Sequence, residues 1–124
     1  MLSLKEAVNK YSGYILSVWW VFSFIITHMT IPEGAQGPPH IDKIVHILIY
    51  TALAFLLSLW LRKRHQVKQK QVILIFLILL TYSVLDEFLQ GFTGRTPDMR
   101  DISANIVGVI IGLVAFLKWG KFSD

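Results

Sequence analysis

Four apolar runs separated by short polar segments constrain this chain more than any other feature. They lie at about 13–29, 44–61, 72–90 and 102–119. Each is close to the ~20 residues a helix needs to cross ~30 Å of hydrocarbon. A lipid environment leaves backbone groups no outside partners, so such runs must be helical. The prediction is all-α: an integral membrane bundle of four transmembrane helices forming one domain over residues 1–124. Only 16% of residues are charged while 54% are hydrophobic; a water-soluble domain carries about 25% charge. There is no cysteine, which removes disulfides and thiolate metal sites. Lys5 and Lys10 ahead of the first run mimic a signal peptide, but no small-x-small cleavage pattern follows Thr27-His28-Met29, so a retained helix is expected.

The charges predict an orientation. Lys5, Lys10, Arg62, Lys63, Arg64, Lys68, Lys70, Lys118 and Lys121 would share one face of a four-span protein, nine of its twelve basic residues. The positive-inside rule then places both termini in the cytoplasm. A net charge of +4 distributed this way reads as membrane topology and not as a nucleic-acid surface. Six of the eight acids fall at the opposite, outer end: Glu33, Asp42, Asp86, Glu87, Asp98 and Asp101. The segment Ile31–Ile41, rich in proline and glycine, is expected to be an irregular strap there.

Ionisable groups inside membrane helices cost free energy, roughly 2.5–3.5 kcal/mol for a central Asp, and usually face a bundle interior or a wet cavity. Asp42, His46 and Tyr50 repeat at i, i+4, i+8 and form one stripe on the second helix. Ser83, Glu87 and Gln90 share a face of the third, with Asp86 turned about 100° away from Glu87. An acid at a helix C-terminus opposes the macrodipole, so capping does not explain Glu87. It does offer an account of Asp42, Asp98 and Asp101, which lie at helix starts. Thr96 or Asp98 is the expected N-cap of the fourth helix, with Pro97 in its first turn. Asp101, Asn105, Gly108 and Gly112 line one face of that helix. The last two make a GxxxG surface that serves internal packing or a homo-oligomer. Together these positions predict a polar cavity at the outer end, lined by Asp42, His46, Tyr50, Glu87, Gln90, Arg95, Asp98, Asp101 and Asn105, with Lys43 a further candidate binding residue.

The ordered pattern Asp42-Lys43-x-x-His46-x-x-x-Tyr50, Glu87-x-x-Gln90 and Arg95-x-x-Asp98-x-x-Asp101-x-x-x-Asn105-x-x-Gly108-x-x-x-Gly112 resembles the VanZ-like family of small bacterial membrane proteins. The likeness carries Glu87 but not Asp86, and covers the second to fourth helices. That family takes its name from a glycopeptide-resistance determinant that lowers susceptibility to teicoplanin. The resemblance implies a multi-pass protein of the bacterial cytoplasmic membrane with a role in the cell envelope.

Three kinds of chemistry fit these residues. In a binding protein, Lys43 and Arg95 would hold the phosphate of a membrane lipid or lipid-linked wall precursor, with carboxylates and amides on its sugars or peptide. In an intramembrane enzyme, Glu87, His46 and Asp101 would supply acid–base catalysis for transfer or hydrolysis. In a purely structural protein, the charges would pair across helices. Asp42, His46, Glu87 and Asp101 offer donors for a hard cation, but no diagnostic ligand spacing is present. The sequence therefore assigns no metal and no cofactor.

Overall fold

A computed structural model describes residues 1–30, 34, 37–38, 40–62 and 68–121. Most of the Ile31–Ile41 strap, including Glu33, and the basic residues Lys63 and Arg64 lie outside the described residues. Among the described residues the fold is four α-helices: α1 (Leu4–His28), α2 (Ile41–Arg62), α3 (Gln69–Gln90) and α4 (Met99–Lys121). A 3-10 turn, Gly91–Thr93, follows α3 and ends on Gly94, whose φ of 81° favours glycine.

α1 begins nine residues before the expected 13. Ser3 Oγ accepts from the Glu6 backbone N–H at 3.2 Å, and the Ser3 N–H donates to Glu6 Oε2 at 2.8 Å. This reciprocal capping box nucleates a polar first turn ahead of the apolar run. The Ser3 contacts also hold the Glu6 carboxyl below its ordinary range. α2, α3 with its 3-10 extension, and α4 are long and apolar enough to cross a membrane. α1 is as long as the longest of these, at 25 residues, but Tyr11, Ser12, Tyr14, Ser17, Trp19, Trp20 and Ser23 dilute its apolar stretch.

Neighbouring helices run antiparallel, which gathers the basic ends. Arg62 at the end of α2 donates to Asn9 near the start of α1 at 3.4 Å. The Lys5 ammonium lies 5.3 Å from the ring of Trp119 at the end of α4. The acidic starts of α2 and α4 thus share the opposite end.

The core joins Leu16 of α1, Ile49, Tyr50, Leu53, Ala54, Leu56 and Leu57 of α2, Ile75 and Leu79 of α3, and Val109 and Leu113 of α4. Trp19 pins α1 to α2 by donating its indole N–H to the Ile49 carbonyl at 3.2 Å. The closest approach is between α2 and α4. A Cβ on Gly108 would stand 2.5 Å from the Ile47 carbonyl, and one on Gly112 would collide with the Thr51 carbonyl. The GxxxG surface is therefore used inside the chain, where absent side chains let two backbones touch.

Burial is inverted relative to a water-soluble protein. Leu74, Leu77, Leu85 and Phe88 of α3 and Ile110, Val114 and Leu117 of α4 are exposed. His46, Ser83, Asp86, Glu87, Gln90, Asp101 and Asn105 are buried. Apolar side chains on the outside, with polar groups buried beside the apolar core, is the arrangement that a hydrocarbon solvent selects.

Candidate functional site

Where α2 and α4 begin, the helices part around a cavity of about 560 Å³. Asp42, Lys43, His46, Arg95, Asp98 and Asp101 line it. These are six of the ten residues singled out from sequence. The other four stand behind it: Asn105 and Glu87 contact lining residues, while Tyr50 and Gln90 sit deeper in the bundle.

Three carboxylates face two cations in this cavity. Lys43 Nζ lies 3.0 Å from Asp98 Oδ2, 3.5 Å from Asp42 Oδ2 and in contact with Asp101 Oδ1. Arg95 donates through Nη2 to Asp42 Oδ1 at 3.2 Å and through Nη1 to the Thr27 carbonyl at 2.8 Å. Arg95 thereby fastens α1 to α2. Asp42 spends its carboxylate on these cations, one residue inside the start of its helix.

Asp98 caps α4. Its Oδ1 accepts from the Arg100 N–H at 2.9 Å, and its carbonyl accepts from the Asp101 N–H at 3.0 Å. The Arg100 N–H, with the Lys43 ammonium second, holds the Asp98 carboxyl below its ordinary range. Because the helix starts at Met99, Pro97 stands before the cap and not in the first turn. Glu87 Oε1 accepts from the Asp98 N–H at 2.6 Å. The carboxylate that opposes the dipole of α3 is therefore placed on the favourable end of α4. Its second oxygen, Oε2, is buried without a hydrogen-bond partner.

His46 is 1% exposed and is oriented from behind. Its Nδ1 lies 2.8 Å from Asn105 Oδ1, while Asn105 Nδ2 donates to Ser83 Oγ at 2.8 Å. With the Asn105 amide nitrogen on Ser83, its oxygen is turned to Nδ1, which leaves Nε2 on the side toward the cavity. That atom faces Asp42 Oδ1 and Asp101 Oδ2, each at 3.8 Å, beyond hydrogen-bond range.

A second polar cluster lies between α1 and α3. Asp86, set aside by the sequence reading, is 1% exposed. Gln90 Nε2 donates to its Oδ2 at 3.2 Å, and His28 Nδ1 approaches its Oδ1 at 3.7 Å. Gln90 therefore serves Asp86 and does not line the cavity. The buried Tyr50 ring stands 6.0 Å from that of Tyr82, and its hydroxyl has no hydrogen-bond partner.

Sequence reasoning gave no role to Thr27 or His40. Thr27 supplies the carbonyl that anchors Arg95, and backbone carbonyls leave no signature in a sequence. His40 lines the cavity with φ 80°, a left-handed conformation uncommon outside glycine. Its carbonyl accepts from the Ile44 N–H at 3.2 Å, which makes it the residue that starts α2.

The VanZ/LLP1 family model matches residues 3–120, nearly the whole chain. The chain belongs to this family. The match takes in α1 as well as the three helices whose polar pattern carries the resemblance. No curated protein and no solved structure matches this VanZ/LLP1 family member.

Proposed function

We propose that this VanZ-like protein takes the polar headgroup of an outer-leaflet lipid or lipid-linked wall precursor into its cavity, to bind or modify it. The observation that carries this reading is the cavity itself. It is about 560 Å³, large enough for a headgroup, with charged walls at one end of an otherwise apolar bundle. Acyl chains would lie along the exposed apolar faces while the headgroup meets Lys43 and Arg95. The concentration of basic residues at the opposite end supports an outward-facing cavity in the bacterial cytoplasmic membrane. Sequestering a wall precursor there would connect the site to glycopeptide, and specifically teicoplanin, resistance.

A second reading, catalysis, is favoured by one specific feature. His46 lines the cavity and is held from behind by Asn105, which is where an acid–base catalyst of headgroup hydrolysis or transfer would stand. Incubating the purified protein with a total bacterial lipid extract, followed by mass spectrometry, tests both readings. A lipid retained intact supports binding. A new product made by wild type and not by His46→Gln supports catalysis. If no lipid is retained and none is altered, the proposal fails.

A further inference from the structure

We propose that Asp42, His46 and Asp101 hold a divalent metal ion at the wall of the cavity. One donor atom from each lies within 4.8 Å of the other two. His46 and Asp101 are buried, so this is not a scatter of surface acids. The independent observation is the orientation of His46. Its Nδ1 faces Asn105 Oδ1 at 2.8 Å, which turns Nε2 to two carboxylate oxygens at 3.8 Å each. All three groups turn a possible ligand atom to one small space that a cation could share.

The spacing fits a small ion. Metal–donor distances of about 2.0–2.2 Å place two donors roughly 3–4 Å apart. Lys43 neutralises the same two carboxylates through their other oxygens, Asp42 Oδ2 and Asp101 Oδ1, leaving Asp42 Oδ1 and Asp101 Oδ2 turned to the imidazole. Arg95 shares Asp42 Oδ1 from outside. The Ser83–Asn105–His46 chain is the outer support a metal-bound histidine usually has. Glu87 adds a buried oxygen without a partner, close enough to Asp101 and His46 to interact electrostatically. One imidazole with two carboxylates suits Zn²⁺ or Mn²⁺ better than Ca²⁺, which takes six to eight oxygens.

Three protein donors leave coordination positions open toward the cavity, as in metal sites that receive a substrate. A bound dication would add positive charge beside Lys43 and Arg95 and so favour a phosphate in a cavity that three carboxylates also line. This last step, phosphate on the metal, rests on the headgroup reading; the metal site itself does not.

The test uses lipid-free, chelator-stripped protein in detergent, titrated with Mn²⁺ by electron paramagnetic resonance and competed with Zn²⁺. One ion per chain is expected, with nitrogen hyperfine coupling from His46. Affinity should be lost in Asp101→Asn and His46→Gln, fall about 10–100-fold in Asn105→Ala, and stay unchanged in Asp86→Asn. The nitrogen coupling is read on wild type, so a variant that fails to fold does not blunt the test. Absence of stoichiometric binding, or binding without nitrogen coupling, overturns the proposal. A lipid retained equally by metal-free and metal-loaded protein would separate the outcomes: the headgroup reading would stand and phosphate coordination would fall.

Discussion

The α2–α4 interface has two halves built on opposite principles. Toward the basic end, Gly108 and Gly112 remove side chains so that the α4 backbone rests on the carbonyls of Ile47 and Thr51. Toward the acidic end, Asp42, Lys43, His46, Asp98 and Asp101 stand between the same two helices and around the cavity. One half is closed by the absence of atoms, and the other is occupied by charges that satisfy one another. The glycine contact fixes where α4 lies, and the polar groups above it inherit that position. Packing therefore sets the geometry of the site before any of its own interactions act.

Breaking the closed half should have the largest effect. Gly112→Leu places a branched side chain into the Thr51 carbonyl and Ala54 Cβ. Overpacking costs about 1–3 kcal/mol or more, and here no flexible neighbour can yield. Loss of monodisperse protein on gel filtration is the expected result, with Val107→Leu on the exposed face of α4 as the tolerated control.

The next effect in size comes from the hinge between the halves. Asn105→Leu strands His46 Nδ1 and leaves Ser83 Oγ without its donor in a buried site. An unsatisfied buried polar group costs about 1–3 kcal/mol, so thermal unfolding should shift clearly downward. Asn105→Gln should recover part of that loss if the amide bonds carry it.

Within the open half, Lys43→Met should cost less, about 0.5–1 kcal/mol. Lys43 is partly exposed, and solvent screens the three carboxylates it leaves behind. Added Mn²⁺ or Zn²⁺ should restore the lost stability if those carboxylates are also metal ligands. An unchanged melting temperature in the variant would remove Lys43 from the list of groups holding α2 to α4.

The smallest effect concerns pH. The Asp98 carboxyl sits below its ordinary range in the folded state, so its contribution is fully present above the unfolded value of about 3.9. It is lost as pH falls through the lower folded value. Thermal unfolding followed from pH 6 to about 3 should show wild type losing its advantage over Asp98→Asn only at the acid end. A constant gap between them across that range would contradict the assignment.

The helices were legible because apolar length is a sequence property. Their polar faces were legible because i, i+4 spacing survives folding, as Asp42 and His46 show. What escaped depends on neighbours. Asp86 was set aside because the family likeness carries Glu87 and not its neighbour, yet α3 packs against both α1 and α4, so directions about 100° apart are both interior. Gln90 was assigned to the cavity because it shares a face with Glu87, and instead its side chain serves Asp86. The early start of α1 is different, since Ser3-Leu4-Lys5-Glu6 is a readable capping box. The partner of the GxxxG surface was open in sequence because small residues state only that something comes close.

The most direct test is the lipid that stays with the purified protein. Native mass spectrometry of wild type and Arg95→Ala, both checked for helical content by circular dichroism, compares a complete cavity wall with one lacking a cation. A phosphate-bearing lipid bound to wild type and lost from Arg95→Ala is the predicted result. Equal lipid occupancy in the two proteins would contradict it, and the polar end of the bundle would then be a brace between helices with no ligand of its own.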